Sequence, residues 1–199
     1  MSRELRRLLI PPARLAETVD LLPAEVHYLR RVLRCRSGSR VAVIDGCGHL
    51  WSAMVEGAER LRLEQGVRSP LEQRPPSRPS LELALGLPRR EVDVVWRMAT
   101  ELGADRLQPL MASRSLERGR PPMERWNLIV REATEQCERL WLPRLEEICG
   151  AGSWLARPPW GLGLLATTRE PELPRLAELL MMGSSLAEPA QVSLSLIHI

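Results

Sequence analysis

Four prolines, Pro70, Pro75, Pro76 and Pro79, stand within SPLEQRPPSRPS (69–80), and they divide this chain in two. Proline fixes φ, lacks an amide donor and clashes with the preceding turn. Neither a helix interior nor a central strand can run through such a stretch. An extended linker is expected there, with one domain over 1–68 and another over 81–199. The hydrophobic patterning changes at the same place. Short period-two segments precede it, and alternating strands and helices follow.

In the first part, Leu8 to Ile10 can open a strand, and VAVI (41–44) runs into Asp45-Gly46, a strong hairpin signal. HLWSAMV (49–55) and the arginine–leucine alternation of RLRLEQ (60–65) add two more strands. PAEVHYLRRVLR (23–34) has Pro23 at a first helical turn and Val26, Leu29 and Leu33 at helical spacing. Several short strands and one helix in so few residues predict a small β-barrel.

In the second part, LELALGL (81–87) alternates cleanly. EVDVVWRMATELG (91–103) places Val92, Val95, Trp96, Ala99 and Leu102 on one helical face, with Gly103 as C-cap. RLQPLM (106–111) predicts a strand. ERWNLIVREATEQCERL (124–140) predicts a long helix with Trp126, Val130, Ala133, Cys137 and Leu140 as its apolar stripe. GLGLLAT (161–167) predicts a strand, PELPRLAELLMM (171–182) a helix, and QVSLSLI (191–197) the start of one more strand. Such alternation implies an α/β domain with a parallel sheet, which takes ligands at the carboxyl ends of its strands.

Every basic side chain is arginine, and the net charge is +3. Codon usage in a GC-rich genome produces the same bias. The placement says more, because Arg3, Arg6, Arg7, Arg14, Arg30, Arg31, Arg34 and Arg36 all fall in the first 36 residues. Guanidinium groups fork onto phosphates and stack on bases, so this cluster points to a polyanion, above all nucleic acid. Cysteines 35, 47, 137 and 149 form no C-x-x-C pair and have no histidine at zinc-finger spacing, so reduced thiols and no metal site are expected. The chain has no run of eighteen apolar residues and no signal-peptide core, so neither a membrane span nor export is expected, and the cytoplasm is the expected location. Neither G-x-G-x-x-G nor G-x-x-x-x-G-K-[ST] occurs, which sets aside the common nucleotide-binding loops.

Three polar groups remain open to two readings. Glu132, Gln136 and Arg139 stand at i, i+4 and i+7 of the long helix, which fits either a solvated face with an intrahelical ion pair or a functional face. Ser113-Arg114-Ser115, past a strand, fits a plain loop or a strand-end site. Leu-Pro-Arg-Arg (87–90) fits a helix start or a phosphate contact through Arg89 and Arg90.

The joint order of these pieces resembles a known family. His27-Tyr28-Leu29, Arg31-Val32-Leu33-Arg34, Gly38, Val43-Ile44-Asp45-Gly46 and Gly48 come first. Ala99-Thr100-Glu101-Leu102-Gly103, Pro109, Ser113-Arg114-Ser115, Arg125-Trp126, Glu132-Ala133, Glu135-Gln136, Arg139 and Pro143 follow. Together they resemble the 16S rRNA (uracil-N3) methyltransferases, the ribosomal RNA small subunit methyltransferase E family of the SPOUT superfamily, over about 1–195. The resemblance implies a PUA-like RNA-binding β-barrel, then a SPOUT trefoil-knot α/β domain using S-adenosyl-L-methionine. It implies 16S rRNA of the small ribosomal subunit as substrate, a homodimer in the full-length family, and no metal.

On this resemblance the expected catalytic residues are Arg114, Glu132 and Arg139. The arginines would hold phosphate or developing carbonyl charge, and Glu132 would act as base or orient Arg139. The expected RNA contacts are Arg30, Arg31, Arg34, Arg89 and Arg90, and the expected cofactor contacts are Leu165, Ala166 and Thr167. There are departures. Met98 stands where family members often carry lysine, and the loop at Arg89-Arg90 is shorter by one residue. A G-P-E-G-G loop and a later L-G-x-x-I-L-R segment are absent after VSLSL, and Ile197-His198-Ile199 matches nothing expected. The expectation is therefore a C-terminally truncated, inactive copy of the enzyme with a foreign tail. The alternative is a non-catalytic RNA-binding protein that uses the barrel alone.

Overall fold

A computed structural model describes residues 5–112, 115, 122–158, 161–166 and 191–196, with isolated positions 173, 175 and 178; for 191–196 the description is of the backbone. The chain forms two compact units, residues 1–76 with 131–142, and residues 77–130 with 143–199.

The first unit is built on a six-stranded sheet. Its strands are β1 (Arg7–Leu9), β2 (Thr18–Asp20), β3 (Arg40–Ile44), β4 (His49–Glu56), β5 (Arg60–Leu63) and β6 (Glu72–Gln73), in the order β1-β3-β4-β5-β2 with β6 on β4. Only β1 and β3 run parallel; the other pairings are antiparallel. β4 exchanges partners along one edge, pairing β6 at His49–Leu50 and β5 from Ala53 to Glu56. At the exchange, the Ser52 amide donates to the Gln65 side chain at 2.9 Å.

The apolar run VAVI reads straight through because both faces of β3 are covered. Val41 and Val43 enter a core with Leu8, Ile10, Leu29, Trp51 and Leu61. Ala42 and Ile44 join Leu9, Leu50 and Leu140 on the other face. Leu140 belongs to the 131–142 segment, which the sequence boundaries assign to the second domain.

The 23–34 helix is shorter than its periodicity suggests. α1 (Pro23–His27) widens into a π turn over Tyr28–Val32, and Arg34 closes it in the left-handed region at φ 55°. The proline-rich stretch is extended as expected, yet part of it is sheet. Glu72 and Gln73 keep their amides between the prolines and pair with β4. Trp141 donates its indole N–H to the Arg74 and Pro75 carbonyls at 3.0 and 3.1 Å.

The second unit holds a wholly parallel sheet, ordered β10-β8-β7-β12-β11. These strands are β7 (Ser80–Gly86), β8 (Arg106–Met111), β10 (Cys149–Gly150), β11 (Leu162–Ala166) and β12 (Gln191–Leu196); β9 (Arg144–Leu145) pairs β8. β12 lies between β7 and β11. α2 (Val92–Glu101) buries Val92, Trp96 and Ala99 against Leu107, Trp126 and Val130. Trp96 meets Trp126 edge-on at 6.0 Å.

Gly103 at φ 99° ends that helix, as its C-cap role requires. Leu102 departs from the expected face and is 78% exposed. It sits in the cap at the rim of the stripe, while Thr100 is fully buried and returns its hydroxyl to the Trp96 carbonyl at 2.8 Å.

α3 (Met123–Gln136) ends earlier than the pattern to Leu140 predicts, because Glu138 adopts a left-handed φ of 61°. Two further short elements, α4 (Ala151–Leu155) and β2, carry no clear periodicity. The helix expected over 171–182 falls almost entirely outside the described residues, as does Ile197-His198-Ile199.

Candidate functional site

The best-formed polar constellation lies in the first unit, where residues 131–142 pack against β1 and α1. β1 is an edge strand whose Leu9 N–H and C=O point away from β3. Glu135 accepts the Leu9 amide at 2.8 Å, and Arg131 donates to the Leu9 carbonyl at 2.6 Å. The two side chains are one helical turn apart, and Arg131 also reaches Glu135 at 3.3 Å. Arg131 touches Glu25 at 3.3 Å as well. Glu25 in turn grips Arg14 through both carboxylate oxygens, at 2.7 and 2.9 Å, and accepts the Leu22 amide at 2.9 Å.

Glu25 and Glu135 have side chains only 4% exposed, yet they titrate in opposite senses. Burial pushes the Glu25 carboxyl up, but Arg14, the Leu22 amide and Arg131 outweigh it and hold it below the ordinary range. For Glu135 burial prevails. The Leu9 amide and Arg131 offset it only in part, so its carboxyl is pushed up.

Beside this network opens a cavity of about 770 Å³, lined by Arg6, Arg7, Tyr28, Arg34, Arg40, Glu135 and Gln136 among others. Arg7 is engaged by Glu138, through its carbonyl and its carboxylate, the latter at 3.1 Å. Arg40 is engaged by Glu64 at 2.9 Å. The Tyr28 phenol is pushed above its usual range by burial and by the Glu135 carboxylate, with Arg6 opposing.

The residues expected from sequence are dispersed. Arg31 and Arg34 are exposed on the first unit, and Arg34 lines the cavity. Arg30 is turned onto the backbone, donating to the Gly57 and Ala58 carbonyls at 2.5 and 3.2 Å. Glu132 is exposed on α3, whereas Arg139 lies beyond the helix end. The shared helical face expected for Glu132, Gln136 and Arg139 is therefore broken by the left-handed Glu138. Arg114 and Thr167 lie outside the described residues. Arg6, Tyr28, Arg131 and Glu135 were not singled out by spacing. The i, i+4 relation of Arg131 and Glu135 is a sequence signal, but it reads equally as a surface ion pair.

In the second unit, Arg89 and Arg90 are exposed between β7 and α2, at a carboxyl end of the sheet. Ser115 ties the ends of β7 and β8. Its hydroxyl donates to the Leu87 carbonyl at 3.2 Å and accepts the Ala112 amide at 3.1 Å. Leu165 and Ala166 end β11, whose outer edge has no strand partner among the described residues. Leu165 is 54% exposed. Among the described residues, no three His, Cys, Asp or Glu side chains group as a metal site would need, and no helix is long and apolar enough to cross a membrane.

Two family profiles match the chain in tandem, an RNA methyltransferase PUA domain over residues 22–64 and an RNA methyltransferase domain over 75–190. Ribosomal RNA small subunit methyltransferase E of Synechocystis sp. is 37% identical over 168 residues, which is 82% of this chain and 55% of that protein. The protein of the same name from Bacillus subtilis is 24% identical over 139 residues, 67% of this chain and 54% of its own. The chain thus spans about half the length of the curated relatives it matches. A crystal structure of a ribosomal RNA small subunit methyltransferase E from Neisseria gonorrhoeae, bound to S-adenosyl methionine, superposes with a TM-score of 0.77 at 21% identity. It covers 96% of this chain and 80% of that one, a likeness of fold.

Proposed function

This chain belongs to the RNA methyltransferase domain family, and on that premise we propose that it serves methylation of a uridine N3 in 16S ribosomal RNA, with S-adenosyl-L-methionine as methyl donor. The observation that carries the reading is the order of two matched domains along one chain, a PUA domain followed by a methyltransferase domain. The exposed arginines of the first unit suit the phosphate backbone of such a substrate. The homodimer and the cytoplasmic setting belong to the same reading, and sedimentation of the purified chain tests the first.

S-adenosyl-L-methionine supplies the methyl group on its sulfonium. In this chain Leu165, Ala166 and Thr167 would hold its adenosyl portion by apolar contact and backbone hydrogen bonds. The protein's own tasks follow from the uracil. N3 lies on the Watson–Crick edge, so the base must be unpaired or flipped. The N3 proton must leave, and the charge that develops on the flanking carbonyls calls for fixed cations. Arg114 and Arg139 suit that charge or the neighbouring phosphates. Glu132, exposed on α3, suits the proton or the orientation of Arg139. Arg31, Arg34, Arg89 and Arg90 suit RNA phosphates; Arg30 combines that role with bracing the Gly57–Ala58 turn.

The test is methyl transfer from labelled S-adenosyl-L-methionine to small ribosomal subunits, followed by digestion to nucleosides and mass spectrometry. Label in N3-methyluridine supports the reading. Label in another nucleoside moves the specificity. RNA binding without label favours the second reading, a non-catalytic RNA-binding protein.

A further inference from the structure

Resting on the RNA-binding reading of the first unit, we propose that the cavity at Tyr28 is a subsite for one unpaired nucleotide of an RNA strand. Its phosphate lies between Arg6 and Arg34, and its base lies against the Tyr28 ring.

Charge pairing around the cavity supports this first. Of its four lining arginines, Arg7 is held by Glu138 and Arg40 by Glu64. The lining carboxylate of Glu135 is taken up by Arg131 and the Leu9 amide. Arg6 and Arg34 have no ion pair among the described residues, so the cavity presents two guanidinium groups to a ligand. Two exposed guanidinium forks suit a phosphodiester.

The aromatic group comes next. Tyr28 is the chain's single tyrosine, it is half-buried, and it lines the same cavity. Gln136, exposed at the end of α3, adds an amide able both to donate to and to accept from a base edge. A ring, an amide and two guanidinium groups match the face, edge and phosphate of a nucleotide. The volume of about 770 Å³ falls within the range of roughly 300–1,000 Å³ usual for such sites.

The backbone is unusual at the same place. Tyr28 opens the π turn, a feature frequent at functional sites, and Arg34 holds a left-handed φ of 55° where glycine or asparagine is the easier choice. In that conformation Arg34 lies on the cavity wall. A concave site of this size suits a splayed-out nucleotide. A duplex shows proteins only its backbone and shallow groove.

The experiment is fluorescence anisotropy on the full chain, with a short single-stranded RNA and its blunt duplex, at low and moderate salt. Arg6→Gln with Arg34→Gln is expected to weaken single-strand binding about 10-fold or more and to lower the salt slope by about 0.7, for the one phosphate no longer neutralised. Tyr28→Leu is expected to weaken binding about 10-fold with the slope unchanged, and Tyr28→Phe to keep near-native affinity, because the ring carries the stacking. Circular dichroism checks that each variant is folded, and Tyr28→Phe guards against misreading a packing defect. Equal losses in Tyr28→Phe and Tyr28→Leu overturn the stacking. Unchanged affinity in the arginine pair, with weakened binding in Arg31→Gln, overturns the subsite while sparing the RNA-binding reading. No binding of any RNA by the native chain overturns both. Uridine monophosphate that binds more tightly than the RNA replaces the strand with a free nucleotide as occupant.

Discussion

The carboxylate of Glu135 lies 2.8 Å from the amide nitrogen of Leu9, 126 residues away in sequence. With Arg131 on the Leu9 carbonyl, the outward N–H and C=O of an edge-strand residue are both satisfied by side chains from one helical turn. Unpaired strand edges invite pairing with other chains, and this one is closed at that residue. Residues 131–142 thereby belong to the first unit's packing, with Leu140 covering its second apolar face.

Arg131→Ala removes the cation shared by two carboxylates whose side chains are 4% exposed, and it leaves the Leu9 carbonyl without that donor. Arg14 still holds Glu25, so the loss falls mainly at Glu135. A destabilisation of about 3 kcal/mol is expected from a broken buried pair. Urea unfolding of native and variant chains measures it, and a midpoint within error of native contradicts the network's role.

The two carboxylates give opposite pH dependences. Glu135 has a folded-state pKa above its ordinary value of 4.5. Its contribution is fully present below 4.5 and is lost as pH rises through the elevated folded value. Glu25, held low, contributes stability above its ordinary value of 4.5, lost as pH falls through its folded value. Glu135→Gln removes the first dependence alone. The native chain is expected to gain melting temperature relative to Glu135→Gln as pH is lowered toward 4.5 from neutrality. A constant difference across that window shows that Glu135 titrates alike folded and unfolded.

Gly48 sits at φ 97°, and a β-carbon there would strike the Arg74 carbonyl and come within 2.8 Å of the Trp141 ring. Backbone strain and steric conflict act together, so Gly48→Ala is expected to cost more than about 2 kcal/mol. Gly57, at φ 60° with open space around it, should tolerate alanine at about 1 kcal/mol. Thermal melts of the two variants make the comparison, and equal losses count against close approach at Gly48.

Trp96 is fully buried, and its indole nitrogen has no hydrogen-bond partner among the described residues. Trp96→Ala should cost about 3–5 kcal/mol through the cavity it leaves. Trp96→Phe should cost much less, about 1–2 kcal/mol, because the edge-on contact with Trp126 survives and a buried unpaired donor is removed. Chemical denaturation of both variants separates volume from polarity.

Much of the framework was legible in residue order. The alternation of 81–87 and 106–111, with the stripe of Val92, Trp96 and Ala99, describes a parallel sheet and a covering helix. Those patterns act within a turn or a strand, where neighbouring side chains share one surface. The site was legible only as an excess of arginine. Spacing marked Glu132, Gln136 and Arg139 as one face, yet the left-handed Glu138 ends the helix before Arg139.

Residue order therefore specified the local elements and the kind of charge this protein carries. Which arginines are committed and which are open was specified only by the folded chain. Arg7 and Arg131 are engaged by residues more than a hundred positions away, Arg30 by carbonyls of a distant turn, while Arg6 and Arg34 face a cavity. The reason is physical. A guanidinium group is satisfied by whichever acceptors the folded chain brings within hydrogen-bond reach, and that proximity is set by long-range closure, which local periodicity does not encode.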